Sequence, residues 1–178
     1  MNNNVKLTPN ELAFIALTNE YCHVAENCGN SSRHDFIGNL LKLLPRIYIS
    51  AFDLPSQIAL TDTEIDPYLS ENQYDEIRNS INLLLAQDDV YLEVFEEDMK
   101  YSDTPIAVSI SENVADLYQE FFNIVASVKD KDTSEQQDLL SICKENFNNY
   151  WGQTLCNVLR ALHNVYCADL YDENELEY

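Results

Sequence analysis

The sequence predicts an all-α fold: a single-domain helical bundle of about five to six helices around a long C-terminal helix, with an irregular acidic arm. Three observations carry that expectation. Only three glycines and five prolines occur in 178 residues, too few to turn the many short strands of a sandwich or barrel. Apolar residues make up 46% of the chain, enough for a core without a disulfide or metal staple. They recur mostly at three- and four-residue spacings, the period of one helical face.

The clearest stripe is Leu139, Cys143, Phe147, Tyr150, Trp151, Leu155, Val158, Leu162 and Val165. Residues 139–167 therefore read as one helix of roughly 30 residues, about 45 Å long. Between Asn146 and Cys167 the only formally charged side chain is Arg160; the remaining polar positions include Asn148, Asn149, Gln153, Asn157, His163 and Asn164. Amides can be satisfied by hydrogen bonds without burying charge, so both sides of this helix are expected to touch protein. Gly152 is expected to mark a close approach and not a stop.

The earlier elements follow from caps and stripes. Thr8-Pro9-Asn10-Glu11 is a capping box with proline at the first helical position. Phe14, Leu17, Tyr21, Val24 and Cys28 continue that helix, and Gly29-Asn30 closes it. A second helix starts at Ser31 or Ser32 and ends near Leu54-Pro55; Pro45 inside its stripe predicts a kink or short break. Residues 61–70 read as an acidic loop leading to a cap at Ser70, after which Tyr74, Ile77, Ile81 and Leu84 make a third helix. The period fails from Gln87 to Pro105, where the apolar island Val90 to Phe95 is either a short helix or an extended arm. Ser109-Ile-Ser-Glu112 starts a fourth helix, and Ser134 with Gln137 is expected to cap the long one. The helical domain is thus expected over residues 8–168, with residues 1–7 and 169–178 as flexible termini.

Charge narrows the partners. The formal net charge is −21, and acidity belongs to the middle: residues 1–50 hold four acids and four bases, residues 51–100 thirteen acids and two bases. Such a surface repels nucleic-acid phosphate and anionic lipid, so neither nucleic acid nor membrane is an expected partner. A basic protein or peptide is. Five cysteines without a CxxC pair read as reduced core thiols. With no apolar run of about 18 residues and no signal-peptide pattern at the start, the expected location is cytoplasmic.

Several words, in order, carry a family resemblance: Asn19-Glu-Tyr-Cys22, Leu43-Leu-Pro-Arg-Ile-Tyr48, Tyr91-Leu-Glu-Val-Phe95, Asp98-Met-Lys-Tyr-Ser-Asp-Thr-Pro105, Ser109-Ile-Ser-Glu112, and Asn149-Tyr-Trp-Gly152 with Arg160-Ala-Leu-His163. On these the chain resembles an uncharacterised bacterial family, domain of unknown function five-zero-six-three. The resemblance implies a helical architecture and brings no activity or ligand with it.

Chemistry is sparse. Glu20-x-x-His23 has the spacing of a carboxylate-bridged di-iron helix, but no second copy occurs. Asp62-x-Glu64-x-Asp66 begins like a calcium loop, yet Pro67 stands where that loop needs glycine and Gln73 where it needs glutamate. Cys22 and His23 are adjacent, so on a helix they point about 100° apart and cannot act as nucleophile and base. No glycine-rich phosphate loop, Gly-x-Ser-x-Gly elbow or His-Glu-x-x-His is present. No catalytic residue, metal or cofactor is therefore assigned.

Two surfaces remain as candidates. The first is a partner-binding patch of Tyr91, Glu93, Phe95, Glu96, Glu97 and Asp98, where aromatics stand beside carboxylates. It makes the chain a noncatalytic protein-binding module. The alternative is an enzyme or small-anion sensor with a pocket around Arg160 and His163, helped by Asn157 and Glu20. Arg160 itself is expected to be a buried structural ion pair with Glu20, Asp116 or Glu120.

Overall fold

The computed structural model describes residues 6–56, 63–92 and 106–175, with side chains through Asp169. Helix α1 spans Pro9–Glu26, α2 Arg33–Phe52, α3 Glu71–Leu85, α4 Ile110–Val128, α5 Thr133–Asn146 and α6 Gly152–Glu175. A π-helical turn, Phe147–Trp151, joins α5 to α6 without leaving the helical path. The fold is all-α in substance. Its sheet, among the described residues, is a two-stranded antiparallel ribbon of β1, Val90–Leu92, and β2, Ala107–Ser109, in which Tyr91 pairs with Val108. No helix of the described residues is long and apolar enough to cross a membrane.

The caps form as their chemistry dictates. The Thr8 hydroxyl accepts from the Glu11 amide at 3.2 Å, and the Glu11 carboxylate accepts from the Thr8 amide at 2.6 Å, closing both ends of the box. Ser32, Ser70 and Ser109 cap α2, α3 and α4. The cap of the long helix lies two residues before the expected Ser134. Asp132 takes that place because its carboxylate accepts from two amides, Ser134 and Glu135, at 2.9 and 3.0 Å, and suits the positive end of the helix dipole.

Helices α1 and α6 both pack on α2 and α4, α3 packs on α4, and α5 on α4 and the π turn. Phe14, Tyr21, Phe36, Leu40, Leu44, Phe121, Trp151 and Leu155 are fully buried between them. The Tyr21 hydroxyl donates to the Val114 carbonyl at 3.0 Å while its ring stands edge-on to Phe121 at 5.0 Å.

One expectation is overturned. Helix α2 runs unbroken through Pro45, because Leu40, Leu43, Leu44, Ile47 and Ala51 bury both of its halves in the same core at the cost of one hydrogen bond. Helix α6 continues past Cys167 to Glu175. Arg33 anchors it at Asp169: its guanidinium donates twice to Asp169 at 3.0 Å and to Asp88 at 2.7 Å, and also to the Leu85 carbonyl. Of the two readings of the apolar island, Val90–Leu92 takes the extended one; residues 93–105 of the acidic arm lie outside the described residues.

Strand β1 is positioned by Asp89, a carboxylate only 3% exposed. It accepts from the Asn82 amide at 2.7 Å, the Ser109 and Ser111 hydroxyls at 2.8 Å and the Ser111 backbone amide at 2.7 Å. Charge-assisted bonds of this kind are the strong ones. They fix the exit of α3 to the start of α4.

Because Pro45 withholds one interior hydrogen bond from a helix that is otherwise continuous, Pro45→Ala should raise stability by about 1–3 kcal/mol. The measurement is the urea midpoint, and a fall would mean that the ring's packing outweighs the missing bond.

Candidate functional site

The site is built around the π turn. Trp151 is fully buried, edge-on to Phe121 at 5.2 Å and to Phe147 at 4.8 Å. The Gly152 amide donates to the Phe147 carbonyl, the five-residue bond of a π turn. A Cβ on Gly152 would stand 2.5 Å from that carbonyl oxygen and 2.9 Å from the Phe147 ring. The close approach expected at Gly152 is thus present. Such turns are frequent at functional sites, and this one is flanked by two grooves that share Gln153 and Asn157.

The first groove, about 350 Å³, lies between the start of α4 and the π turn and is lined by Asn113, Asp116, Asn149, Tyr150, Gln153 and Asn157 among others. Asp116 accepts from the Tyr74 hydroxyl at 2.7 Å, and Asn113 donates to the Tyr91 hydroxyl at 2.6 Å, bringing two further tyrosines to its edge. Helical spacing lines up Glu112, Asp116 and Glu120 on α4. Burial raises the Asp116 carboxyl above its ordinary value, the Glu112 charge adding and the Tyr74 hydrogen bond opposing. Burial likewise raises Glu120, with a hydrogen bond from Asn146 opposing and Asp116 adding. Tyr150 is raised by burial and by these same three acids. Among the described residues no ion pair joins Glu112, Asp116 or Glu120 to a lysine or arginine.

The second groove, about 480 Å³, lies between the end of α2 and the start of α6. Tyr48, Phe52 and Phe147 form an aromatic wall, and Asn148, Cys156 and Arg160 complete it with the shared Gln153 and Asn157. Lys144 is buried behind the wall: its ammonium donates to the Phe52 carbonyl at 2.7 Å and stands 4.8 Å from the centroids of both the Phe52 and Phe147 rings. Burial lowers its pKa, with Asp53 opposing.

The residues singled out from sequence are only partly gathered here. Arg160 and Asn157 line the second groove. Arg160 is exposed and donates to the Leu92 carbonyl at 3.1 Å; no ion pair among the described residues joins it to Glu20, Asp116 or Glu120. The buried-pair expectation fails because Leu155, Val158, Ala161 and Leu162 take the inward face of α6, leaving Arg160 on the outside. The amide face is divided: Asn148, Asn149, Gln153, His163 and Asn164 are exposed, whereas Asn157 is buried and the half-buried Asn146 bonds to Glu120. His163 lines neither groove; its ring nitrogen lies 3.7 Å from the Cys167 sulfur. Glu20 is exposed on α1, also away from both. Tyr91 sits on β1 at the edge of the first groove, whereas Glu93, Phe95, Glu96, Glu97 and Asp98 lie outside the described residues. Cys22, Cys28 and Cys143 are buried as expected of core thiols, but Cys156 is exposed and Cys167 half-buried.

Comparison with known proteins places this geometry in a family. The profile of the family described as Domain of unknown function (DUF5063) matches residues 5–168. The chain belongs to that family. A crystal structure of protein BF1032 from Bacteroides fragilis is similar at 32% identity and a TM-score of 0.77, over 88% of this chain and 92% of that one. No curated protein matches the chain. Within the family match fall the π turn and both grooves.

One signal in the sequence did announce the π turn. Leu139, Cys143, Phe147, Trp151 and Leu155 are spaced by four residues throughout. At about 100° per residue, four such steps drift about 160° around a regular helix, too far for one buried face. All five are buried, so the path must absorb an extra residue. The groove walls had no comparable signal, since Tyr48 and Phe52 read as ordinary stripe members and Tyr74 as core.

Two predictions follow from the site's energetics. Gly152→Ala should cost about 2 kcal/mol, the range of overpacking against a fixed backbone oxygen, seen as a lower denaturation midpoint; an unchanged midpoint would show that Phe147 yields freely. The second concerns pH. The folded-state pKa of Asp116 and Glu120 lies above the unfolded value, so their contribution to stability is complete below the unfolded pKa and is lost as pH rises through the folded one. Asp116→Asn, which fixes the uncharged form, should therefore melt higher than the native chain at neutral pH and gain less on mild acidification. A variant melting lower at neutral pH would rank the Tyr74 bond to the ionised carboxylate above its desolvation.

Proposed function

We propose that this protein is a noncatalytic binding module that receives a basic side chain of a partner protein in the first groove. The observation that carries the reading is a half-buried carboxylate, Asp116, flanked on α4 by Glu112 and Glu120, bonded by the Tyr74 hydroxyl and sharing its groove with Tyr150 and with Asn113, which bonds Tyr91, with no cation of the described residues paired to the three acids. An incoming ammonium or guanidinium would offset the desolvation and mutual repulsion that raise these carboxyl groups. Tyrosine faces add cation–π attraction, worth about 0.5–2 kcal/mol per contact. Tyr150, 51% exposed, presents such a surface to a partner.

This reading relocates the acidic and aromatic recognition surface from residues 93–98 to α4 and the π turn, with Tyr91 common to both. A reducing, cytoplasmic setting accords with it, since all five cysteines are free thiols.

The test must separate a groove from bulk charge, because any chain of net charge −21 attracts cations. An arginine-containing peptide is titrated against the native chain, a groove variant (Glu112→Gln, Asp116→Asn, Glu120→Gln) and a control that removes as many charges from the exposed positions Glu64, Glu71 and Glu76. The expected outcome is loss of binding in the groove variant, with the control reduced only by the salt-dependent attraction of its lost charges. Equal weakening of both variants would reduce the effect to net charge and overturn the reading.

A further inference from the structure

We infer that the second groove is a site for a small aromatic carboxylate, held by the Arg160 guanidinium against the ring wall of Tyr48 and Phe52. The inference goes beyond the partner-binding reading and uses the opposite flank of the Gln153–Asn157 ridge.

Charge is the first argument. The sequence has 31 acidic side chains against 10 basic ones, so carboxylates outnumber arginine and lysine about threefold and a guanidinium could readily have been given one. Arg33 has two and Arg78 has one, although Arg46 has none among the described residues. Arg160 instead makes a bond to a backbone carbonyl and no ion pair among the described residues. Its planar fork therefore keeps donors for an incoming carboxylate, the partner it matches bidentately. Lys144, fixed by the Phe52 carbonyl, stands 4.8 Å from the Phe52 and Phe147 ring centroids and so places a second positive charge behind the wall.

Shape is the second. Tyr48 and Phe52 lie nearly parallel, 6.5 Å apart at 20°, and Phe147 stands edge-on to Tyr48 at 5.2 Å and 71°. Phe52 is 62% exposed, an open ring face that water solvates poorly and a planar apolar group covers well. Asn148 and Gln153 supply amide donors and acceptors along the groove. A volume near 480 Å³ falls within the range of about 300–1,000 Å³ typical of small-molecule sites. An aromatic ring with one carboxylate satisfies the wall and the fork together.

The experiment is an NMR chemical-shift titration of the full chain with benzoate, acetate and benzyl alcohol, which separate the ring from the charge. Saturable benzoate binding is expected, mapped to α2 and α6, with acetate and benzyl alcohol each weaker by about tenfold or more. Arg160→Gln and, independently, Phe52→Ala should each abolish saturation; both positions are exposed, and native-like spectra confirm that the variants fold. Lys129→Gln, at the α1–α4 surface, should leave binding unchanged. The inference is overturned by absent saturation with benzoate, by acetate or benzyl alcohol binding equally well, or by Arg160→Gln binding like the native chain.

Discussion

The geometry of both grooves depends on burying one indole. Trp151 stacks near Phe14 at 6.4 Å and meets Phe121 and Phe147 edge-on, and it is fully buried although its N–H has no partner among the described residues. A large aromatic side chain removes about 150–250 Å² from water, worth about 4–6 kcal/mol at 25 cal/mol per Å². An unsatisfied N–H costs about 1–3 kcal/mol, so burial wins. To seat the ring there the backbone must bring Gly152 against the Phe147 carbonyl. The π turn is the geometry that results.

From that turn the two grooves acquire opposite character. On the α4 side the helix meets carboxylates and tyrosine hydroxyls; on the α2 side it meets aromatic rings backed by Lys144 and ending in Arg160. Gln153 and Asn157, neutral and able both to donate and to accept, form the ridge between them. The uncharged stretch from Asn146 to Arg160 thus separates an anionic hollow from a cationic one. A charged residue on the ridge would bias both.

Much of the fold was legible because its signals are local. Thr8 with Glu11, Ser70 with Gln73 and Ser109 before Glu112 announce helix starts, and each forms its cap. Pro45 misled because a local penalty of about 3 kcal/mol was set against a core contact that only the tertiary structure reveals. Arg160 misled for a related reason: the stripe gives an inward face but not how far it extends around the helix, and an isolated charge among amides reads as buried when it is merely alone. The first groove was hidden by sequence separation. Tyr74, Tyr91, Asp116 and Tyr150 lie on four different elements, and nothing local to any of them points to the others. Asp116 and Glu120 stood out in the sequence only as possible partners for Arg160, a pairing the fold does not make.

The π turn also changes what chain length means here. In a surface loop, losing one residue is absorbed by neighbouring dihedrals. Between Phe147 and Trp151 the same loss would return the path to an ordinary helix and rotate everything after it by about 100°. Leu155, Val158 and Leu162, all buried, would swing out of the core, and Gln153 and Asn157 would leave the ridge. Among relatives, a gap-free alignment over residues 147–151 is therefore a sharper marker of a shared site than the identity of any single side chain within it.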